Sequence, residues 1–153
     1  MVTEVRIQWL GLPYEAFLEL GDSRMIDDPC AEQIYMLRDR FGVELLIATW
    51  ESKKLFGGTA MDEATLSSLQ SAAYLYDDTT VTLYETETID NVFRPLDISL
   101  TSEGLQTLRS SPVSHFNLVR VPFSRSWALV TNVQMETYVC GPQDFVDSVH
   151  DQF

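Results

Sequence analysis

Basic residues are scarce in this chain. Ten Lys and Arg stand against 23 Asp and Glu in 153 residues, leaving a formal net charge of −13. Only two of the ten are lysines, the adjacent Lys53 and Lys54. Spread over the roughly 7,800 Å² of surface expected at this mass, the excess is about one negative charge per 600 Å². Nucleic-acid affinity depends on Lys and Arg neutralising phosphates, so the composition points away from a nucleic-acid partner. The same field draws a basic protein partner and speeds encounter.

Other absences narrow the classes further. The two cysteines, Cys30 and Cys140, form no close-spaced metal or redox pattern. The two histidines, His115 and His150, show no HxH or HExxH spacing. No GxSxG elbow is present, and the KKLFGGT stretch at 53–59 lacks the GK[ST] ending of a Walker loop. The longest apolar run, VELLIATW at 43–50, is too short to span a bilayer and carries Glu44. The first residues, MVTEVRIQWLGL, hold no basic segment followed by an apolar stretch. The expectation is a soluble, cytoplasmic protein with no membrane partner, no metal and no cofactor.

What is present is enough for a core. Apolar residues make up 45% of the chain, which at this length supports folding without disulfides, and the length fits a single globular domain over 1–153. Alternation at 3–10 (TEVRIQWL) predicts a strand. A helix follows at DDPCAEQIYMLRDRFG: Asp28 suits the N-cap, Pro29 the first turn and Gly42 the C-terminal cap, with Cys30, Ile34, Leu37 and Phe41 on one stripe. Residues 43–51 read as a strand buried on both faces, and SKKLFGG at 52–58 as a loop.

Thr59 and Asp62 have capping-box-like spacing ahead of a helix bearing Leu66, Leu69, Ala73 and Tyr76. Strands are expected at TTVTLYETETID and over 92–99, the latter at an edge because of Pro95. Thr101 caps a short helix containing Leu105 and Leu108. HFNLVRV and SWALVT flank PFSRS as a hairpin, and the second arm either runs on through Val139 or breaks at Asn132. Gly141-Pro142 opens a last helix with Phe145, Val146, Val149 and Phe153 inward. The expected fold is α+β, a mainly antiparallel sheet packed against three to four helices.

The stretch TTVTLYETETID at 79–90 carries the candidate site. Val81 and Leu83 build an apolar face, and Glu85 and Glu87 then occupy the same face. Residues two apart on a strand sit about 6.5–7 Å apart, a spacing that a divalent ion or an acid–base pair could use. No supporting ligand pattern accompanies them, so an acidic strand end is the favoured account.

Asp77, Asp78, Tyr84, Glu85, Glu87 and Asp90 are the expected binding residues, and no catalytic residue is assigned. Tyr74, Tyr76 and Tyr138 also lie beside acids, where a phenol supplies contact area with a polar tip. The function expected is a small acidic protein-binding module, an inhibitor or immunity-type protein that docks a basic partner through carboxylates and tyrosines. An acidic secretion-chaperone-like protein acting as a homodimer is an alternative. A metal- or carboxylate-dependent enzyme using Glu85 and Glu87 is another, and a pocket protein for an apolar ligand is a third.

Overall fold

The spacing of Cys30, Ile34, Leu37 and Phe41 places them on one side of a helix, and the computed structural model forms that helix, α1, over Ala31–Phe41. The structure describes residues 30–46, 51–57, 61–86, 95–101, 103–104, 117–132 and 134–151. Helix α1 stops at Gly42, whose φ of 67° lets its N–H reach back to the Arg38 carbonyl. Arg38 and Arg40 in the last turn complement the helix dipole. The expected cap Asp28, the strand at 3–10 and Phe153 lie outside the described residues, as do Leu105, Leu108 and His115.

The remaining elements are β1 (Glu51–Gly57), α2 (Glu63–Tyr74), β2 (Thr80–Glu85), β3 (Leu96–Ser99), β4 (Leu118–Pro122), β5 (Ala128–Thr131), β6 (Glu136–Gly141) and α3 (Gln143–Ser148). All six strands join one antiparallel sheet in the order β1-β6-β5-β4-β2-β3. The expectation of a sheet packed against three to four helices is corrected here. The sheet is the body of the described fold, and its helices are three short ones of 11, 12 and 6 residues. Each is too short to build a layer of its own and contributes only a few side chains to the sheet's apolar faces.

Two further expectations change. Residues 43–46 are irregular rather than strand, with 47–50 outside the described residues, and Ser52–Gly57 of the expected loop belong to β1. An edge strand tolerates lysines because one side of it faces no neighbour. Lys54 pairs with Glu136 on β6 at 2.6 Å, and Lys53 donates to the Val149 carbonyl. The helix start also moves: Asp62, expected as the last residue of a capping box begun by Thr59, is itself the N-cap of α2 and accepts from Thr65 N at 2.8 Å, while Thr59 lies outside the described residues. Other expectations hold. Pro95 precedes β3 at the sheet edge. Strands β4 and β5 form the hairpin, and the chain breaks at Asn132 before β6. The Asn132 carboxamide oxygen accepts from the backbone of Gln134 and Glu136, closing that turn.

Pairing fixes what each face carries. Across the middle of one face Leu96, Leu83, Arg120, Leu129, Val139 and Lys53 stand in a single cross-strand row. This face holds the larger cluster, with Leu69, Ala72 and Ala73 of α2, Phe145 and Val146 of α3, and Trp127 stacked on Phe145 at 4.9 Å. The opposite face carries Val119, Val121, Val130 and Cys140 beneath Cys30, Ile34 and Leu37 of α1.

The Gly42 cap gives a clean test, because a Cβ there meets nothing within 4 Å and only the left-handed backbone objects. Gly42→Ala is expected to lower unfolding free energy by about 1 kcal/mol in urea titration. Gly57→Ala, equally open and without a positive φ, should stay within about 0.5 kcal/mol of the parent.

Candidate functional site

The turn after α2 sets the geometry at one end of the sheet. Residues Leu75–Asp77 reverse the chain, with Asp77 at φ 59°, and the Asp78 N–H donates to the Ala73 carbonyl at 3.1 Å. Asp78 is thereby turned inward and buried. Its carboxylate accepts from Ser124 N at 3.1 Å, Ser124 Oγ at 2.5 Å and Trp127 Nε1 at 3.0 Å. One charged group thus ties the α2–β2 turn to the β4–β5 hairpin and satisfies the indole of a fully buried tryptophan. The Leu46 N–H donates to the Arg125 carbonyl at 2.6 Å, bringing a third segment to the same hairpin.

These ties gather apolar side chains that the fold leaves in solvent. Phe123 is 95% exposed, Leu75 83%, Tyr74 71% and Leu46 69%. Each lies in or beside one of the segments joined above. Tyr76, partly exposed, leans on Phe145 with ring centroids 5.8 Å apart. Asp77, Arg125 and Asp144 are exposed beside them. Single exposed leucines are ordinary, but several large apolar groups at one end of a sheet make a patch.

The sequence-expected site residues are divided by the fold. Asp77 and Asp78 are adjacent in the turn, one exposed and one buried. Tyr84 is half-buried at the other end of β2, tilted against Phe41 at 5.0 Å. Burial pushes its phenol pKa up, with Arg125 pulling it down and Asp97 adding to the rise. Glu85 keeps the parity of Val81 and Leu83 and is buried. No bulge flips it. Thr86, next along, donates to the buried Gln33 side chain. Glu87 and Asp90 lie outside the described residues, so no carboxylate pair is formed by the described part of this strand. Among the described residues, no group of three or more His, Cys, Asp or Glu converges, and no helix is long and apolar enough to cross a membrane.

Arg120 is the residue that sequence reasoning missed. It sits on an interior strand, in the row between Leu83 and Leu129, and is only 8% exposed. Its Nη1 donates to Thr131 Oγ1 at 2.8 Å, and that hydroxyl lies 2.9 Å from Thr137 Oγ1. Its Nε has no partner. Burial lowers its pKa to about 10. In the sequence HFNLVRV it reads as an outward residue of a strand. Only the register, which sets it opposite Leu83 and Leu129, reveals that it faces the larger core. Phe123 did leave a signal, as an apolar residue inside the turn PFSRS.

No family model, curated protein or solved structure matches the chain.

Asp78 is expected to be worth more than an ordinary surface acid. Asp78→Ala should cost about 2–4 kcal/mol in denaturant unfolding and shift Trp127 fluorescence, because three donors lose a charged acceptor and the indole N–H stays buried. Ser124→Ala should cost about 1 kcal/mol and leave the emission near that of the parent.

Proposed function

We propose that the chain is a protein-binding module that docks a basic partner protein through the turn end of its sheet. The observation that carries this is the exposure of Phe123, Leu75, Tyr74 and Leu46 on segments that Asp78 and the Leu46–Arg125 bond tie to one hairpin. Interface cores are built from aromatic and large apolar side chains, and Tyr offers contact area with few torsions to freeze. A held turn also lowers the ordering cost of binding.

Charge argues for the nature of the partner. The chain carries −13, its two lysines are engaged along the edge strand, Lys53 on a backbone carbonyl and Lys54 on Glu136, and Arg120 is buried in the core. Asp77 and Asp144 stand at the patch, with Arg125 as the local base. A partner with apolar contact residues ringed by Lys and Arg complements this surface. An inhibitor or immunity-type protein that covers a basic functional surface is the specific form of this reading. Asp77, Tyr74 and Tyr76 remain as contact residues, while Asp78 positions the patch from beneath.

The test is capture from native lysate with the wild-type chain and with Phe123→Ser/Leu75→Ser. Both positions are exposed, so the double variant should unfold within about 1 kcal/mol of the parent. It should bind the captured partner at least about tenfold more weakly. Capture should also fade near half-molar salt, where the Debye length is about 4 Å. Equal, salt-insensitive capture by both proteins would refute the reading.

A further inference from the structure

The tip of the β4–β5 hairpin is held by its own turn and by two outside segments. The Arg125 N–H closes the turn on the Pro122 carbonyl at 3.0 Å, and Arg125 itself takes a left-handed backbone at φ 56°. A tight turn followed by a left-handed residue is a common short hairpin connection. Ser126 bonds back to Ser124 twice, its N–H to Oγ at 3.3 Å and its hydroxyl to the carbonyl at 3.4 Å. From outside, Asp78 accepts from Ser124 N and Oγ, and the Leu46 N–H reaches the Arg125 carbonyl. The backbone of the tip is therefore set before any partner arrives.

The side chains of the tip divide by what this frame uses. Pro122 and Trp127 are buried, and Ser124 and Ser126 are half-buried and bonded. Phe123 and Arg125 project. Phe123 is 95% exposed, and Arg125 is exposed and forms no ion pair among the described residues. A ring standing out from a turn loses most of its exposed area only in a concavity, because a flat partner covers one side of it. Interface hot spots lie in such desolvated pockets, where large rings and arginines are favoured over leucines. An arginine there is met by a carboxylate, whose two oxygens match its planar fork.

We propose that the Pro122–Arg125 tip is the inserting element of the docking surface, with the Phe123 ring seated in an apolar pocket of the partner and Arg125 paired with a carboxylate at the pocket's lip. This inference rests on the docking reading and specifies its partner further. The partner is basic over its wider surface, to suit the acidic excess of the chain and the exposed Asp77 and Asp144, yet it carries an acid at this one point. A charge of the minority sign fixes register. The overall field brings the two proteins together, and the Arg125 pair admits one orientation. Leu46, Leu75 and Tyr74 form the surround that keeps water from the ring.

The experiment purifies the protein captured by the wild-type chain and measures its Kd and dissociation rate against single variants of the full chain. Phe123→Ala should bind at least about thirtyfold more weakly, while Leu75→Ala and Leu46→Ala each change Kd by less than about fivefold. Arg125→Glu makes the chain more acidic, so a partner drawn by the field alone would bind it as well as the parent or better. The proposal requires the reverse, at least about tenfold weaker binding that lies mainly in faster dissociation. All four positions are exposed, so each Tm should stay within about 3 °C of the parent's. If Phe123→Ala costs no more than Leu75→Ala, the contact is flat and the insertion is overturned, while the docking reading stands. Arg125→Glu binding as tightly as the parent would overturn the pairing with a carboxylate. Absence of salt-sensitive capture by the parent would remove the docking reading itself, and this inference with it.

Discussion

A single carboxylate organises the described end of this molecule. Asp78 accepts three hydrogen bonds from the β4–β5 hairpin and its tryptophan, while its own N–H closes the turn after α2. Removing the acid would leave all three donors without this acceptor in a buried setting. Because Trp127 stacks on Phe145, and Phe145 touches Tyr76, the same tie reaches α3 and returns to the turn. Turn, hairpin and terminal helix are therefore one unit. The exposed apolar residues ride on that unit, which makes their spacing a consequence of core chemistry rather than of loop sequence.

The charge balance of the chain gains meaning from where its bases go. Lys53 and Lys54 are spent along the edge strand, one on a carbonyl of the last turn and one on Glu136, whose carboxyl is held below its usual range by Lys54 and Asn132. Arg120 is taken into the core. Three acids are withdrawn alongside these bases, Asp78 and Glu85 by burial and Glu136 by its pairing with Lys54, so the acidic excess of the composition is kept. The buried arginine is used inside the sheet, where its Nη1 holds the Thr131 hydroxyl of β5.

Much of the local structure was legible in the sequence, for physical reasons. The α1 stripe and its Gly42 cap follow from helical period and from glycine's access to a left-handed backbone. The hairpin around PFSRS and the inner side of α3 follow from alternation and from spacing. Strand β1 was not legible, because Lys-Lys and the glycines after it signal a loop, while an edge position tolerates Lys53, Lys54 and a terminal Gly57. The balance between sheet and helices was also misjudged, since apolar stripes announce helices without giving their weight against six strands. The inward role of Asp78, expected as a binding residue, and the burial of Arg120 were not legible for a different reason. Their partners lie 46, 49 and 11 residues away, and only the register brings them together. In place of the exposed acidic strand end that was expected, Glu85 of β2 turns inward, and Glu87 lies outside the described residues.

The central claim is that the turn end is the surface that meets a partner. The most direct measurement is amide hydrogen exchange on the chain, free and saturated with its captured partner, at peptide resolution. The account predicts new protection over 74–77 and 123–126, with little change over 82–86. New protection confined to 82–86 and its neighbours, with 123–126 exchanging as in the free chain, would contradict it.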